Sequence, residues 1–113
     1  MPTSSHRFFP RSSLVLEKDS SGARFWGVAL DKAMLRYFEA PAGTRFETHQ
    51  HDSEQITLVL DGELAFELEG HTVIVGPGEV IAIPSNVPHA VFTREQPVRA
   101  VDAWSPVMEK YKS

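Results

Sequence analysis

The chain contains no cysteine. Disulfides, thiolate nucleophiles and cysteine-based zinc sites are excluded by composition alone. It also lacks any run of basic residues. Eleven Lys and Arg stand against fifteen Asp and Glu, a formal charge of −4, so the electrostatic footprint of a nucleic-acid binder is missing. Nothing in the charge pattern favours an anionic membrane surface, and no stretch approaches the ~18 consecutive apolar residues of a membrane-spanning helix. Residues 1–13 hold Phe8 and Phe9 but no sustained apolar segment, and do not read as a secretory signal. The expectation is a cytoplasmic protein with neither nucleic-acid nor membrane partners.

What is present is a pattern of short β-rich runs. At 113 residues the chain makes one domain with room for a real core. The segment Glu63-Leu64-Ala65-Phe66-Glu67-Leu68-Glu69 alternates, with Leu64, Phe66 and Leu68 on one face, as a half-buried strand does. Further runs lie at 24–30, 34–39, 56–60, 72–75, 80–83, 90–93 and 98–104. Between them sit Pro41-Ala42-Gly43, Asp61-Gly62, Glu69-Gly70 and Gly76-Pro77-Gly78, all turn chemistry. Asp61-Gly62 reads as a hairpin, because a type I′ turn needs positive φ at its central residues. Residues 31–37 pass locally for a helix, but the flanking β pattern argues against one. Short strands at this spacing predict an all-β sandwich or barrel, with residues 1–13 as an N-terminal arm and 14–113 as the domain.

Two histidines, His49 and His51, stand one residue apart. On a strand they share a face about 6.5–7 Å apart, close enough for both imidazoles to reach one ion at the ~2.0–2.1 Å of a zinc–nitrogen bond. A lone His-x-His is also common on solvated surfaces, so its neighbours decide. Gly43, His49, His51, Gln55 and Gly62 are spaced as in the first motif of the cupin superfamily, and Gly78 with Pro84-Ser85-Asn86-Val87-Pro88-His89 resembles the second. The resemblance implies a single-domain cupin, a double-stranded β-helix forming a jelly-roll-like barrel. It implies one divalent metal ion held by His49, His51, Gln55 and His89.

Three positions depart from the family pattern. Gln55 replaces the usual glutamate, Asn86 replaces a glycine but tolerates the left-handed backbone, and Thr93 stands where the second motif ends in asparagine. Glu54 is a rival ligand. On an extended segment it points the opposite way, and the count back from Gly62 favours Gln55. An amide oxygen cancels none of the metal's charge, so the ion remains a strong Lewis acid toward an anionic substrate. Three imidazoles and an amide suit zinc, nickel, iron or manganese. His6 and His71 read as solvated.

The run 98–104 puts Val98, Ala100, Asp102 and Trp104 on one face. A carboxylate there is costly unless paired or functional. The plain alternative is that Asp102 pairs with Arg36, Arg45, Arg94 or Arg99 and merely closes the barrel. Val101-Asp102-Ala103-Trp104-Ser105-Pro106, followed by Glu109 and Tyr111, resembles the ending of the small pectin-degradation cupins that act on 4,5-unsaturated uronates. Gln55 preceded by Glu54 fits that group, as does Val59-Leu60-Asp61-Gly62-Glu63-Leu64. Trp104, Met108 and Lys110 depart from its usual Phe, Arg and Asp. The resemblance implies Asp102 as a catalytic acid/base, Trp104 as a substrate contact and a homodimer. Arg36 and Arg45 are candidates to hold a substrate anion. Tyr37, Phe38, Phe46, Phe66 and Phe92 line a pocket or simply fill the core.

The expected function is therefore a metal-dependent, non-redox enzyme of a small sugar acid or keto acid, with ring opening and tautomerisation of an unsaturated uronate as the concrete case. Two other readings stand beside it: a non-catalytic metal- or ligand-binding module, since fold does not fix function, and a metal-dependent dioxygenase.

Overall fold

Alternating residues become strand almost wherever the sequence alternates. The computed structural model describes residues 6–108. After one 3₁₀ turn at Arg11–Ser13 come β1 (Glu17–Lys18), β2 (Arg24–Ala29), β3 (Met34–Ala40), β4 (Arg45–His49), β5 (Glu54–Asp61), β6 (Leu64–Leu68), β7 (His71–Val75), β8 (Val80–Ile83), β9 (His89–Thr93) and β10 (Val98–Ser105). No α-helix occurs among the described residues, and none is long and apolar enough to cross a membrane. The strands form two antiparallel sheets, β1-β2-β3-β10-β5-β8 and β4-β9-β6-β7. This is the expected all-β fold.

The inner faces of the two sheets make the core. Phe25, Phe38, Val59, Ile83, Val98 and Ala100 of the larger sheet meet Leu64, Phe66, Val75 and Val91 of the smaller one. Phe66 and Leu64 are fully buried, each worth roughly 1.5–3 kcal/mol over exposure. The interior is not uniform along its length. On β5 the inward residues run Gln55, Thr57, Val59, and on β10 they run Val98, Ala100, Asp102, Trp104. The two strands are antiparallel, with Asp102 opposite Thr57 and Trp104 opposite Gln55. Their polar ends therefore coincide, and one end of the barrel interior is apolar while the other is polar.

The turn at Asp61-Gly62 is not a hairpin. β5 and β6 lie in different sheets, so the turn carries the chain from one wall to the other. Val59 of β5 and Leu64 and Phe66 of β6 are all buried in one core, and placing the two strands in facing sheets buries them against each other, which outweighs the local hairpin preference. Gly62 has φ 79°, and a Cβ there would lie 2.3 Å from the Pro97 carbonyl oxygen, so only glycine fits. The two-residue hairpin is instead Glu69-Gly70, between Leu68 and His71, with φ 51° and 80°, the sign pattern of a type I′ turn. Asn86, at φ 62°, takes the left-handed backbone expected of it.

Candidate metal centre and acid/base site

The polar end of the barrel collects residues from five strands and one loop. His49 closes β4, where a bulge supplies its orientation. Phe46 pairs with Val91 and His49 with His89, three residues on one strand against two on the other. The extra residue reverses the alternation and turns His49 inward, a common use of bulges beside functional sites. His51 lies beyond the end of β4, so the pair does not converge by strand alternation as the sequence suggested. The loop brings it in, and the His49 and His51 rings stand 5.6 Å apart. His89 begins β9, with its ring 4.4 Å from His49 and 5.1 Å from His51. The nearest ring nitrogens of the three lie within 4.8 Å of one another.

The tautomers follow from the partners. Each Nδ1 lies 2.8 Å from a backbone carbonyl: Glu47 for His49, Ser53 for His51, Val87 for His89. A carbonyl only accepts, so each Nδ1 carries its proton and each Nε2 presents a lone pair. This is the backbone support that metal-binding imidazoles normally have. His89 Nε2 is buried with no hydrogen-bond partner. Burial holds the His89 pKa below its ordinary value, with the neighbouring histidine charges acting in the same direction and the Val87 carbonyl against it.

Gln55 is buried and faces inward, whereas Glu54 is exposed. Gln55 Nε2 donates to Thr57 Oγ1 at 3.0 Å and to Asp102 Oδ1 at 3.4 Å. Its Oε1 stands 3.1 Å from His51 Nε2. Two lone-pair atoms face each other there, which calls for a positive centre shared with the other imidazoles. The orphaned His89 nitrogen makes the same demand. Three imidazole nitrogens and an amide oxygen suit a divalent transition ion, so the residues present fit a metal.

Asp102 lies beside this cluster and is 7% exposed. Thr57 Oγ1 donates to its Oδ1 at 2.5 Å. Burial raises its pKa to about 6, against the lowering effects of the Thr57 hydrogen bond, the Arg36 charge and the Gln55 amide. Arg36 faces inward from β3, opposite Asp102 in the register, with its guanidinium 3.6 Å from the centre of the Phe25 ring and 5.9 Å from that of Trp104. The other arginines are spent elsewhere. Arg45 pairs with Glu47 and Glu67, Arg94 with Glu63, and Arg99 with Asp61, all on the surface. Of the two candidates for holding an anion, only Arg36 reaches the interior.

These groups line one cavity of about 60 Å³, shared by Arg36, His49, Gln55, His89, Asp102 and Trp104. Roughly 10–15 Å³ holds one water, so this space takes a few water-sized groups, the reacting end of a ligand rather than a whole sugar acid, and the cavity is open to solvent beyond it. Its far wall is apolar, built by Phe25, Phe38, Phe46 and Phe66. Tyr37 and Phe92 face away, Tyr37 stacked on Trp26 and Phe92 under Arg45. His6 and His71 are exposed. Glu109 and Tyr111 lie outside the described residues. Thr57 is the residue that sequence reasoning missed: a threonine on a strand is ordinary, and only its register opposite Asp102 marks it.

Residues 36–104 match the cupin domain family Cupin_2. Over 65 residues the chain is 42% identical to dimethylsulfoniopropionate lyase DddQ of Ruegeria pomeroyi, covering 57% of this chain and 32% of that protein. The chain thus spans about a third of the length of this curated relative. The crystal structure of DddQ superimposes with a TM-score of 0.70 at 28% identity, covering 87% of this chain and 59% of that one. KdgF from Halomonas sp. superimposes with a TM-score of 0.85 at 24% identity, over 94% of this chain and 98% of that one. An RmlC-like cupin from Shewanella frigidimarina gives 0.86 at 19% identity, over 95% and 96%. The last two likenesses establish the fold.

Proposed function

The chain belongs to the cupin family, Cupin_2, and from that premise we propose that it is a metal-dependent, oxygen-independent enzyme acting on a small sugar acid or keto acid. In this reading His49, His51, Gln55 and His89 hold one divalent ion, zinc, nickel, iron or manganese. When bound, the ion supplies a Lewis-acid charge for a carbonyl or enolate oxygen. One observation carries the reading: a buried carboxylate, Asp102, and an inward arginine, Arg36, share a single cavity with a set of uncharged ligands.

Arg36 holds the substrate carboxylate by charge-assisted hydrogen bonds. Asp102 moves a proton between oxygen and carbon. Trp104 and the phenylalanine wall cover the apolar sugar face and keep water out. With a 4,5-unsaturated uronate the ring C1–O bond of the hemiacetal opens to an aldehyde, and the ring oxygen stays on C5 as an enol. Asp102 then relays the enol proton to C4, leaving a ketone at C5. The net change is an isomerisation, with no oxidant or reductant.

The 42% match to a lyase favours a second reading, in which the same base removes a proton beside a carboxylate and a β-leaving group departs. The Arg36 guanidinium in the cavity counts against a sulfonium substrate, because like charges repel there. The test is anaerobic turnover by metal-loaded protein, followed by loss of the conjugated-alkene absorbance of unsaturated galacturonate. Asp102→Asn should lose about 10²–10⁴-fold, the usual worth of a positioned acid/base. No turnover by wild type, or equal turnover by the variant, overturns the proposal. Release of dimethyl sulfide from dimethylsulfoniopropionate would replace it with the second reading.

The protein is proposed to work in the cytoplasm as a homodimer. Support for the dimer comes from the outer face of the larger sheet. The register aligns Val28, Leu35, Ala103, Ile56 and Ala82 in one row across five strands, and Trp26, Tyr37, Val101, Leu58 and Val80 in the next. Ile56 and Val80 are more than half exposed. A contiguous apolar face of this kind marks an interaction site. At ~4.8 Å per strand and ~3.4 Å per residue it spans about 24 by 14 Å, enough for the apolar centre of a standard interface of ~800 Å² per partner but not for the whole of one. Light scattering should give twice the chain mass for wild type and the chain mass for Leu58→Glu; a monomeric wild type refutes the dimer.

A further inference from the structure

We infer that Thr57 is a positioning residue for the metal centre: its buried hydroxyl dictates which atom of Gln55 faces the three imidazoles. The inference rests on the metal-site reading above. Thr57 is fully buried and sits two residues from Gln55 on the same face of β5. Across the strand pair it stands opposite Asp102. Its hydroxyl has one proton and lies 2.5 Å from Asp102 Oδ1 and 3.0 Å from Gln55 Nε2.

The donor count leaves one arrangement. An ionised carboxylate only accepts, so the Thr57 proton goes to Asp102. Thr57 Oγ1 then offers a lone pair to residue 55, and only a donor fits against it. The Gln55 amide therefore turns its NH₂ toward Thr57 and Asp102, and its oxygen, the one atom of the amide able to bind a metal, toward His51. Without the hydroxyl, the NH₂ keeps only the long 3.4 Å contact to Asp102, and the flipped amide, which presents hydrogens to the imidazoles, becomes accessible. The same count accounts for the amide at position 55: a glutamate would set a second acceptor against a hydroxyl whose single proton is already committed. Were Thr57 a mere packing residue, valine, which has the same shape, would serve as well.

The test uses metal-free full-length protein titrated with Co²⁺, reading the dissociation constant and the visible spectrum of the bound ion. Thr57→Val should bind about 10–100-fold more weakly, the usual effect of losing a group that orients a ligand, with an altered cobalt spectrum. Thr57→Ser keeps the hydroxyl and should restore the affinity and spectrum of wild type. Thr57→Ala carries the same expectation as Thr57→Val if the valine variant does not fold. A role in packing alone would lower stability without moving the spectrum. Wild-type affinity and spectrum in the hydroxyl-free variant overturn the inference and leave the metal site standing. Failure of wild type to bind Co²⁺ overturns the metal site and the inference together.

Discussion

Replacing Asp102 by asparagine in the metal-free protein should stabilise the fold, and by an amount that depends on pH. Asp102 is buried, and its pKa rises from 3.8 to about 6 on folding. Because the folded value is the higher one, folding favours the protonated acid. The favourable contribution is complete below pH ~3.8 and is lost as pH climbs through ~6. A shift of about two units corresponds to ~3 kcal/mol at 1.36 kcal/mol per unit. Asparagine has nearly the shape of the protonated acid and its oxygen still accepts from Thr57, but it never ionises. The variant should therefore match wild type near pH 4 and exceed it by up to ~3 kcal/mol at pH 7. Other titrating groups are common to both proteins and cancel in the difference. The assay is urea unfolding of both proteins in chelator at a series of pH values, comparing midpoints at constant m-value. A difference that stays flat from pH 4 to 7, or a wild type that is the more stable at pH 7, would refute the reasoning. The predicted outcome pairs a more stable protein with loss of the proposed proton carrier, a trade often seen at functional sites.

Three further outcomes are expected. Gly62→Ala should cost about 3 kcal/mol or more in urea unfolding, since the new Cβ meets the Pro97 carbonyl in a left-handed backbone; a loss under ~1 kcal/mol contradicts that packing. Phe66→Ala should cost ~3–5 kcal/mol by the same measurement, because a fully buried ring leaves a cavity that its neighbours fill only in part. Free metal ion at a hundred times its dissociation constant should add ~2.7 kcal/mol of stability to wild type and much less to His89→Ala, read as thermal shifts with and without the ion; equal shifts would remove His89 from the ligand set.

The strands were legible because their buried residues alternate, and β5, β6 and β10 follow that alternation with little deviation. Legibility failed where geometry departs from period two. β4 went unseen because its bulge breaks the alternation between Phe46 and His49, and β1 is too short to carry a pattern. The Asp61-Gly62 turn was misread because local turn chemistry gives no information on which sheet the next strand joins. At the site, the imidazoles and Gln55 are visible as spacing, and Asp102 and Trp104 as an unusual pair on one face. Arg36 and Arg45 look alike in the sequence. Only the inward parity of β3, and the Glu47 and Glu67 carboxylates that occupy Arg45 on the surface, separate them. Thr57 carries no local signal, because its meaning lies in a neighbour 45 residues away.

Ile56 stands between Gln55 and Thr57, so β5 presents the proposed amide ligand, an exposed apolar side chain and the hydroxyl that meets the amide in three consecutive residues. A slip of one residue would exchange the two faces completely. Isoleucine would enter the cavity while glutamine and threonine moved out onto the sheet surface. A single-residue deletion within β5 would thus strike the proposed metal site and the proposed dimer face in one step, whereas a substitution injures only the face it lies on. Length variation among descendants of this sequence should accordingly gather in the connecting loops and spare β5, even where its individual letters change.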